Sequence, residues 1–565
     1  MTLGPLLLLL LAAPPAPPAD ARVVLLDAMT REGARTMERL RIADFEAPYF
    51  LAYQMKETRH EELAGRFGAI TDDRSRRDRK LFVDVRVGSY QLDSSGRDDA
   101  TAFVGSEGQT YFAPREAPLE DDPAALRNAL WLLRDERYKE ALASYLRKRS
   151  RRVYRPDEAD APPSFSREPP QRHVDAPLPF AFDRARWRAE VRRVTALFRD
   201  HPDVYDSGMK VTAEKQVRWL ISSEGTALVT ERTLFGVHVQ AVARAVDGQL
   251  LEDSRDFYAP DEAALPGSAE IERETRTLIG ELEALRVAPT ADPYTGPAIL
   301  APEATGVLFH EAIGHRLEGE RQDDDREGQT FKGQVGRRIL PPFLSVVDDP
   351  TVAAEGRSPL NGAYAFDDQG VPARRTVLVE DGVLRGFLLS RKPVNPFTHS
   401  NGHGRSQGGQ APAARMGNLL VTSRRQVPME ELRRMLIAEA RRQGKPYAFV
   451  IQDITGGNTN TASSGYQVFK GTPRLAYRVD VATGRQELVR GVELVGTPLL
   501  SVNKVIATGD EVRVFNGYCG AESGYVPVAT VAPAALVSEV ELQRVARANE
   551  RSPILPPPWT ESARP

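Results

Sequence analysis

Hydrophobic and polar positions in the first half of the chain alternate between a helical period and a strand period. The clearest strand signal is the alternation of apolar and polar side chains in the FVDVRV stretch at 82–87, which is regular from Val83 onward. The predicted elements are a helix at 23–40, strands at 48–60 and 81–90, helices at 126–151 and 183–200, strands at 211–246, and a helix at 268–285 capped by Ser268. A helix followed by a strand meander occurs twice, in 22–115 and 180–260, which suggests a duplicated unit.

The pattern changes after 287–297, a stretch rich in proline that is typical of a domain boundary. Beyond it a short apolar helix precedes mainly strand-like sequence. The later predicted elements are a hairpin at 375–389 turning at Asp381-Gly382, a helix at 429–443, and strands at 447–453, 466–481, 487–495 and 526–540. We therefore predict an α+β protein with an N-terminal α+β domain at 22–290, interrupted by a Pro-rich insertion at about 155–179, a β-rich C-terminal domain at 291–545, and a disordered tail at 546–565.

Composition adds two limits. The chain has 565 residues, of which 41% are hydrophobic and 27% charged, as in ordinary soluble globular proteins. The formal net charge is −3, and acidic residues are interspersed with the basic ones, so no electrostatic argument favours nucleic acid as a partner.

Residues 1–21 have the pattern of a signal peptide. A short apolar core at 6–13 precedes Ala19-Asp20-Ala21, which offers a small-x-small cleavage site. The segment before the core has no Lys or Arg, so a misassigned start or an uncleaved anchor is the alternative. No later apolar run is long enough to span a membrane. We expect an exported protein, periplasmic or extracellular, with no membrane span after signal cleavage.

The candidate chemistry centres on 306–320, which read GVLFHEAIGHRLEGE. His310 and His315 lie at i and i+5 in an apolar run, where two histidines and a glutamate would be costly to bury unless something binds them. On a straight helix, positions i and i+5 point about 140° apart. The two histidines can share a metal only if the helix widens into a π-turn or ends between them, and Gly314 would permit either. The alternative is a short core helix whose histidines are satisfied by hydrogen bonds.

Other residues complete this hypothesis. Cys519 is the one cysteine of the chain, and thiolate is a strong zinc ligand, although a buried cysteine can also serve as a small hydrophobe. Three protein ligands, His310, His315 and Cys519, would leave a position open for water, as in catalytic Zn²⁺ sites. Zinc lowers the pKa of such a water to about 7, and Glu311 could accept its proton as general base.

Three glycine-containing loops carry further candidate residues. The glycines around His403 should leave its side chain exposed, and His403 or Arg405 could bind substrate or stabilise an oxyanion. The glycines in 517–520 should bend the backbone and aim Cys519 at the metal, and 456–461 is a polar loop that could face a substrate or only solvent. Glu318 and Glu320 could support the histidines, but solvated acidic side chains are the more ordinary interpretation of both.

These residues resemble the HExxxH signature of the TldD/PmbA family of zinc metallopeptidases, also called modulators of DNA gyrase. The resemblance runs in order through 296–545, with supporting stretches at 333–336, 346–350, 367–372, 401–405 and 518–528. It implies an N-terminal α+β domain with an antiparallel sheet and flanking helices, and a β-rich metallopeptidase domain carrying the HExxxH helix.

The resemblance also implies roles and partners. It assigns zinc binding to His310, His315 and Cys519, catalysis to Glu311, and small or unfolded polypeptides as substrates. TldD-type chains pair with a PmbA-type chain that lacks the motif, so we expect a dimer or hetero-oligomer in which this chain is catalytic. A non-catalytic, zinc-containing protein that binds or assembles peptides is the alternative.

Overall fold

The computed structural model describes residues 20–95, 115–154, 162–324, 327–459, 461, 469–496 and 498–545, and it has the predicted α+β class. The helices are α1 (Ala21–Arg39), α2 (Pro123–Tyr154), α3 (Arg184–Ala196), α4 (Ser268–Val287), α5 (Pro302–Phe309), α6 (Met429–Arg442) and α7 (Pro498–Asn503). The strands are β1 (Pro48–Arg66), β2 (Ala69–Val87), β3 (Arg172–Val174), β4 (Val204–Ser222), β5 (Ala227–Arg244), β6 (Leu250–Ala259), β7 (Tyr294–Leu300), β8 (Leu344–Asp348), β9 (Ala354–Glu355), β10 (Ser358–Pro359), β11 (Thr376–Glu380), β12 (Val383–Leu384), β13 (Gly404–Arg405), β14 (Ala413–Ala414), β15 (Asn418–Ser423), β16 (Gln426–Val427), β17 (Tyr447–Thr459), β18 (Phe469–Asp480), β19 (Gln486–Val489), β20 (Val492–Gly496), β21 (Val505–Ala521) and β22 (Gly524–Arg544).

The first six strands form one sheet in the order β2-β1-β4-β5-β3, with β6 also paired to β5. The long hairpins β1–β2 and β4–β5 meet through an antiparallel pairing of β1 with β4. The first strand of each hairpin therefore lies in the middle of the sheet, which is the arrangement that a duplicated helix-and-hairpin unit would produce.

Alternate residues of each strand point to the same side of this sheet. Helices cover the side on which the odd-numbered apolar residues of β1 and β4 lie. Tyr53 of β1 and Trp219 of β4 belong to a buried cluster with α1 and α2 at one end of the strands. Leu63 and Val211, at odd positions of the same strands, belong to a second cluster with α3 and α4 at the other end. The even positions, which are mostly polar, face the C-terminal half of the molecule.

The second half of the chain forms a twelve-stranded sheet in which β22 is the longest strand. β22 pairs with β20 and also with β7, so the path through β20, β18, β17 and β7 returns to its start and closes a ring. The two faces of β7 contact different helices. Ala298 and Leu300 belong to the core that contains α5, whereas Ile299 packs with α6.

Several local predictions can be compared with the structure. The turn at Asp381-Gly382 is confirmed, with φ of 50° and 79°. Ser268 is the first residue of α4 rather than its cap, which is Gly267, and the Ser268 hydroxyl instead donates to Glu190. The predicted bend at 517–520 is wrong, because these residues lie within the regular strand β21, whose pairing with β22 turns only after Ala521.

Some predictions concern residues outside the described ranges. These are most of the signal peptide (1–19), residues 155–161 of the insertion, and the tail at 546–565. Among the described helices, none combines the length and apolar character that crossing a membrane requires. Export and its compartment therefore stay predictions.

Candidate metal site

The helix that carries the motif changes its winding at the first histidine. α5 begins with Pro302 in its first turn and is helical to Phe309, and His310–Gly314 then form a π-helix that passes into a short 3₁₀ turn. A π-turn adds about one residue per turn, which brings positions i and i+5 to one side. The predicted widening of the helix between His310 and His315 is thereby confirmed.

Gly314 is required here for a reason that the sequence did not show. Its φ of −53° and ψ of −59° are ordinary helical angles, so the backbone needs no special freedom at this position. A Cβ on Gly314 would instead lie 2.1 Å from the sulfur of Met416. The glycine therefore makes room for the 415–418 segment to pack against the π-turn.

His310, His315 and Cys519 come together in the core. One donor atom from each lies within 4.8 Å of the others, and this is the one group of three or more His, Cys, Asp or Glu found with such spacing in the described residues. Cys519 Sγ is 3.3 Å from His315 Nε2, and the two imidazole rings are 5.0 Å apart and nearly perpendicular. Cys519 reaches the cluster from β21, opposite Val526 of β22.

The chemistry of these three residues fits a zinc ion. Two imidazoles and a thiolate form a donor set that Zn²⁺ uses, and each side chain is more than nine-tenths buried, which suits a bound metal. His310 Nδ1 is buried and has no hydrogen-bond partner among the described residues. A buried nitrogen without a partner is costly, and binding a cation to the imidazole would give the ring a compensating interaction.

Glu318 orients the second histidine. Its Oε2 accepts from His315 Nδ1 at 3.2 Å and from Arg321 Nε at 2.8 Å, and the side chain is fully buried. Because an ionised carboxylate can only accept, the proton of His315 is on Nδ1, and Nε2 is directed at Cys519. Glu318 was expected to be solvated, so that interpretation is wrong and the alternative, support of a histidine, is the observed one.

Electrostatic interactions within the cluster favour the thiolate form of Cys519 and the protonated form of His315. Burial opposes charge on Cys519, but His315 and His310 lower the pKa of the thiol well below its ordinary value. Burial likewise opposes a charged His315, but Glu318 and Cys519 raise the pKa of the imidazole well above its ordinary value. The thiolate, which is the form of cysteine that binds metals, is therefore the favoured form.

Glu311 lies in the same π-turn, next to His310, and is 8% exposed. Its backbone carbonyl accepts from Arg316 Nη1 at 2.7 Å, which ties the turn to the residue after His315. Glu311 directly follows His310 in the sequence and shares its π-turn. Its catalytic role stays a prediction.

Comparison with known proteins defines the family. Residues 293–544 match the family model described as "PmbA/TldA metallopeptidase C-terminal domain". Residues 293–544 are therefore a domain of the PmbA/TldD family. The match includes α5, the π-turn and the Cys519 hairpin.

Individual relatives agree with this assignment. A protein of Archaeoglobus fulgidus named "Metalloprotease" is 32% identical over 240 residues, which cover 42% of this chain and 51% of that protein. A "Zinc metalloprotease TldD homolog" of Saccharolobus solfataricus is 23% identical over 60% of this chain and 72% of its own length. The chain thus spans about half the length of the first of these relatives.

A solved structure shares the whole fold. The crystal structure of TldE from Thermococcus kodakarensis aligns with a TM-score of 0.59 over 93% of this chain and 100% of its own, at 14% identity. The likeness therefore includes the N-terminal sheet, which the family model does not cover.

The side chain of His403 is buried, and its role in substrate binding stays a prediction. The prediction that its side chain is exposed is wrong, because His403 is 0% exposed. Its Nε2 is 3.1 Å from Asp348 Oδ1, and its Nδ1 is 2.9 Å from Asn401 Oδ1. His403 therefore contacts the side chains of Asn401 and Asp348 in the interior and does not face solvent.

Arg405, unlike His403, lines a cavity. It is 6% exposed and donates to the carbonyls of Met416 and Pro527, with its guanidinium 4.8 Å from the ring centre of Tyr364. It also lines a cavity of about 440 Å³ between the polar face of the first sheet and the Cys519 hairpin. Substrate binding by Arg405 stays a prediction, and the cavity is where it could occur.

The sequence did not show the contacts that Glu320 and Thr461 make near the cluster. Glu320 is not solvated; its carboxylate accepts from Ser390 Oγ and from the backbone of Ala414, and it contacts neither histidine. The prediction of a loop at 456–461 is wrong for 456–459, which belong to strand β17, and Thr461 just beyond it accepts from Arg321 Nη1 at 3.1 Å. Asn460 lies outside the described residues.

Arg415 was missed altogether. Its guanidinium reaches both Cys519 and the vicinity of Glu318, as described below. No spacing signal could have found it, because it is about a hundred residues from each and belongs to no short motif.

Proposed function

We propose that this protein is a zinc-dependent peptidase that hydrolyses peptide bonds in small or unfolded polypeptides. His310, His315 and Cys519 would hold the zinc ion, and Glu311 would act as general base. The observation that carries the proposal is the convergence of the three donor atoms within 4.8 Å, with Glu311 in the same π-turn. The names of the relatives, which include a zinc metalloprotease homologue, support it.

The protein residues divide the chemical work among them. Bound zinc supplies an activated water at neutral pH and polarises a carbonyl. Glu318 keeps the His315 proton on Nδ1, so that Nε2 is free to bind. Glu311 would take a proton on its carboxylate and return it to the leaving amine, which is the ordinary work of a general base and acid.

The cavity beside the Cys519 hairpin supports a peptide as the substrate. Its lining includes Arg405, Gln216 and Thr230 together with Tyr518 and Tyr525, so hydrogen-bonding groups and aromatic rings are both present. An extended polypeptide offers one donor and one acceptor per residue for such groups. A space of about 440 Å³ would hold a short stretch of polypeptide.

The test compares Glu311→Gln with the wild type and with Glu303→Gln. Glu303 is a carboxylate of the same helix that pairs with Arg513 and is not part of the cluster. We expect Glu311→Gln to retain about one zinc per chain and to lose cleavage of a fluorogenic peptide library by at least about 100-fold. Glu303→Gln should retain both. Full activity in Glu311→Gln would remove Glu311 from the mechanism.

A non-catalytic zinc protein that binds or assembles peptides is the second candidate. The observation that favours it is burial, since the three donor residues are only 4–8% exposed, as in a structural site. It predicts peptide binding without turnover and a large loss of stability on chelation. Cleavage of any library peptide that depends on Glu311 would exclude it.

We also propose that the protein is exported and acts as a dimer or as a hetero-oligomer with a motif-less PmbA-type chain. The supports are the apolar segment at 6–13 and the resemblance to a family with paired chains. The mass of the mature protein from the native host would test cleavage near Ala21. Light scattering of the purified chain, alone and after co-purification, would give its stoichiometry.

A further inference from the structure

Arg415 lies between the hairpin that carries Cys519 and the carboxylate of Glu318, which accepts from His315. It is fully buried, and it directly follows β14. Its Nη2 donates to the carbonyl of Cys519 at 2.7 Å, and its Nη1 donates to Ser523 Oγ at 2.9 Å and to the carbonyl of Gly524 at 3.0 Å. One guanidinium thus binds both ends of the turn that joins β21 to β22.

The same guanidinium faces the carboxylate that holds His315. Arg415 Nε is 3.4 Å from Glu318 Oε1, while the other oxygen of Glu318 accepts from His315. This contact is an ion pair and not a hydrogen bond, and neither Arg415 Nε nor Glu318 Oε1 has a hydrogen-bond partner among the described residues. Arg415 therefore contacts the support of one donor residue, His315, and the backbone of another, Cys519.

We propose that Arg415 is a positioning residue that fixes Cys519 and His315 relative to each other and thereby sets the affinity and geometry of the zinc site. The inference rests on the proposed zinc site, but not on the proposal that the protein cleaves peptides. A side chain is needed to fix the distance between Cys519 Sγ and His315 Nε2, because β21 and the π-turn are far apart in the sequence. Among the described residues, no backbone hydrogen bond joins these two segments.

Only an arginine can make this set of contacts. The planar fork directs Nη1 and Nη2 to the hairpin turn, while Nε lies 3.4 Å from Glu318 Oε1. A lysine at this position would keep the positive charge but could not reach both sides. The charge itself matters as well, since Glu318 is buried and its ionised form needs cations nearby.

The backbone that carries Arg415 is itself held firmly. Arg415 N donates to the carbonyl of His403, and the next residue, Met416, packs its sulfur against Gly314 of the π-turn. Asp348 accepts from the backbone of Gly417 at 3.0 Å. The guanidinium is therefore placed by a rigid segment, which is what positioning to a fraction of an ångström requires.

The experiment uses the full chain with Arg415→Met, which removes the charge, and Arg415→Lys, which keeps it. Arg490→Met is the matched control, because Arg490 is also buried and binds Ala288 and Gln249 far from the cluster. Zinc affinity is measured by chelator competition. Cobalt(II) is then added to saturation, and the sulfur-to-cobalt charge-transfer and d–d bands report whether the thiolate and imidazoles still surround the ion.

We expect both Arg415 variants to lose about 10–100-fold in zinc affinity and to show altered cobalt bands at saturation. Arg490→Met should lose thermal stability without a change in either readout. If Arg415→Met does not fold, Ser523→Ala removes one acceptor of the same guanidinium and should show a smaller change in the same direction. Wild-type affinity and cobalt bands in a folded Arg415→Lys would overturn the proposal, whatever the peptide assay shows.

Discussion

At the scale of single residues, the site consists of buried polar groups that depend on one another. His315 is held by Glu318, and Glu318 is in turn held by Arg321, whose other nitrogens reach Glu327 and Glu522. Leaving any member of such a network without its partner costs more than the bond itself is worth, because the remaining group is buried. The network therefore fixes the orientation of His315 before any metal arrives.

Replacing Glu318 with glutamine should weaken zinc binding without unfolding the protein. The amide cannot supply the negative charge that fixes the Nδ1 proton of His315, so we expect a loss of about 10–100-fold in zinc affinity. The measurement is chelator competition on Glu318→Gln and on Glu320→Gln. Glu320 is the neighbouring, partly buried carboxylate that binds Ser390 instead of a histidine, so its variant should stay within about threefold of the wild type. Equal losses in both variants would contradict a specific role for Glu318.

The sequence predicted the members of this site better than their surroundings. The spacing of His310, Glu311 and His315 and the single Cys519 carry chemical information in their own residue types. Glu318 and His403 do not, because a glutamate or a histidine between glycines can be either exposed or buried. Burial depends on contacts with distant segments, and a local pattern contains no record of those contacts.

At the scale of elements, the π-turn is the feature on which the site depends. The i and i+5 spacing predicted that the helix either widens or ends between the histidines, since a regular helix separates these positions by about 140°, and the structure has the widening. The strand that supplies Cys519 was not predicted, because the glycines of 517–520 are typical of a loop. Pairing with β22 overrides that local preference in β21.

Substituting Gly314 with alanine should damage the site through packing. The new Cβ would overlap the sulfur of Met416, so we expect a loss of about 1–3 kcal/mol in the free energy of unfolding and weaker zinc binding. The measurements are urea denaturation and chelator competition. Combining Gly314→Ala with Met416→Ala should restore most of the zinc affinity, because the space is returned.

The control for this prediction is another helical glycine. A Cβ at Gly280 in α4 would meet no atom within 4 Å, so Gly280→Ala should stabilise the protein by about 0.5–1 kcal/mol through helix propensity. If Gly314→Ala behaved like Gly280→Ala, the contact with Met416 would not be what requires a glycine in the π-turn.

At the scale of the whole molecule, ion pairs connect the first sheet to the second half of the chain. On the polar face of the first sheet, Lys56 lies directly opposite Lys80 on one side and Arg218 on the other. Like charges so placed repel. Asp368, from the second half of the chain, binds both Lys56 at 2.8 Å and Arg218 at 2.7 Å. The sequence could not show this, because the acidic and basic partners are about 150–310 residues apart.

Lys56 gives this junction a measurable pH dependence. Burial lowers the pKa of its ammonium group to about 8, against the opposing effect of Asp368. Below pH 8 the lysine is protonated in both the folded and the unfolded protein, so its unfavourable burial is constant. Between pH 8 and about 10.4, the ordinary pKa of lysine, the unfolded chain binds the proton and the folded protein does not. Folding therefore becomes more favourable as pH rises through this window.

We expect the wild type to gain stability relative to Lys56→Met between pH 8 and 10, by up to roughly 1.4 kcal/mol per pH unit. The comparison with the variant removes the contribution of tyrosines, which lose their protons at higher pH in both proteins. The measurement is urea denaturation from pH 6 to 10, and the interval from pH 6 to 7 is the internal control, because the difference should be constant there. A difference that stays constant up to pH 10 would contradict a lowered pKa for Lys56 in the folded protein. A rising difference would support the burial of this ammonium group between the first sheet and Asp368.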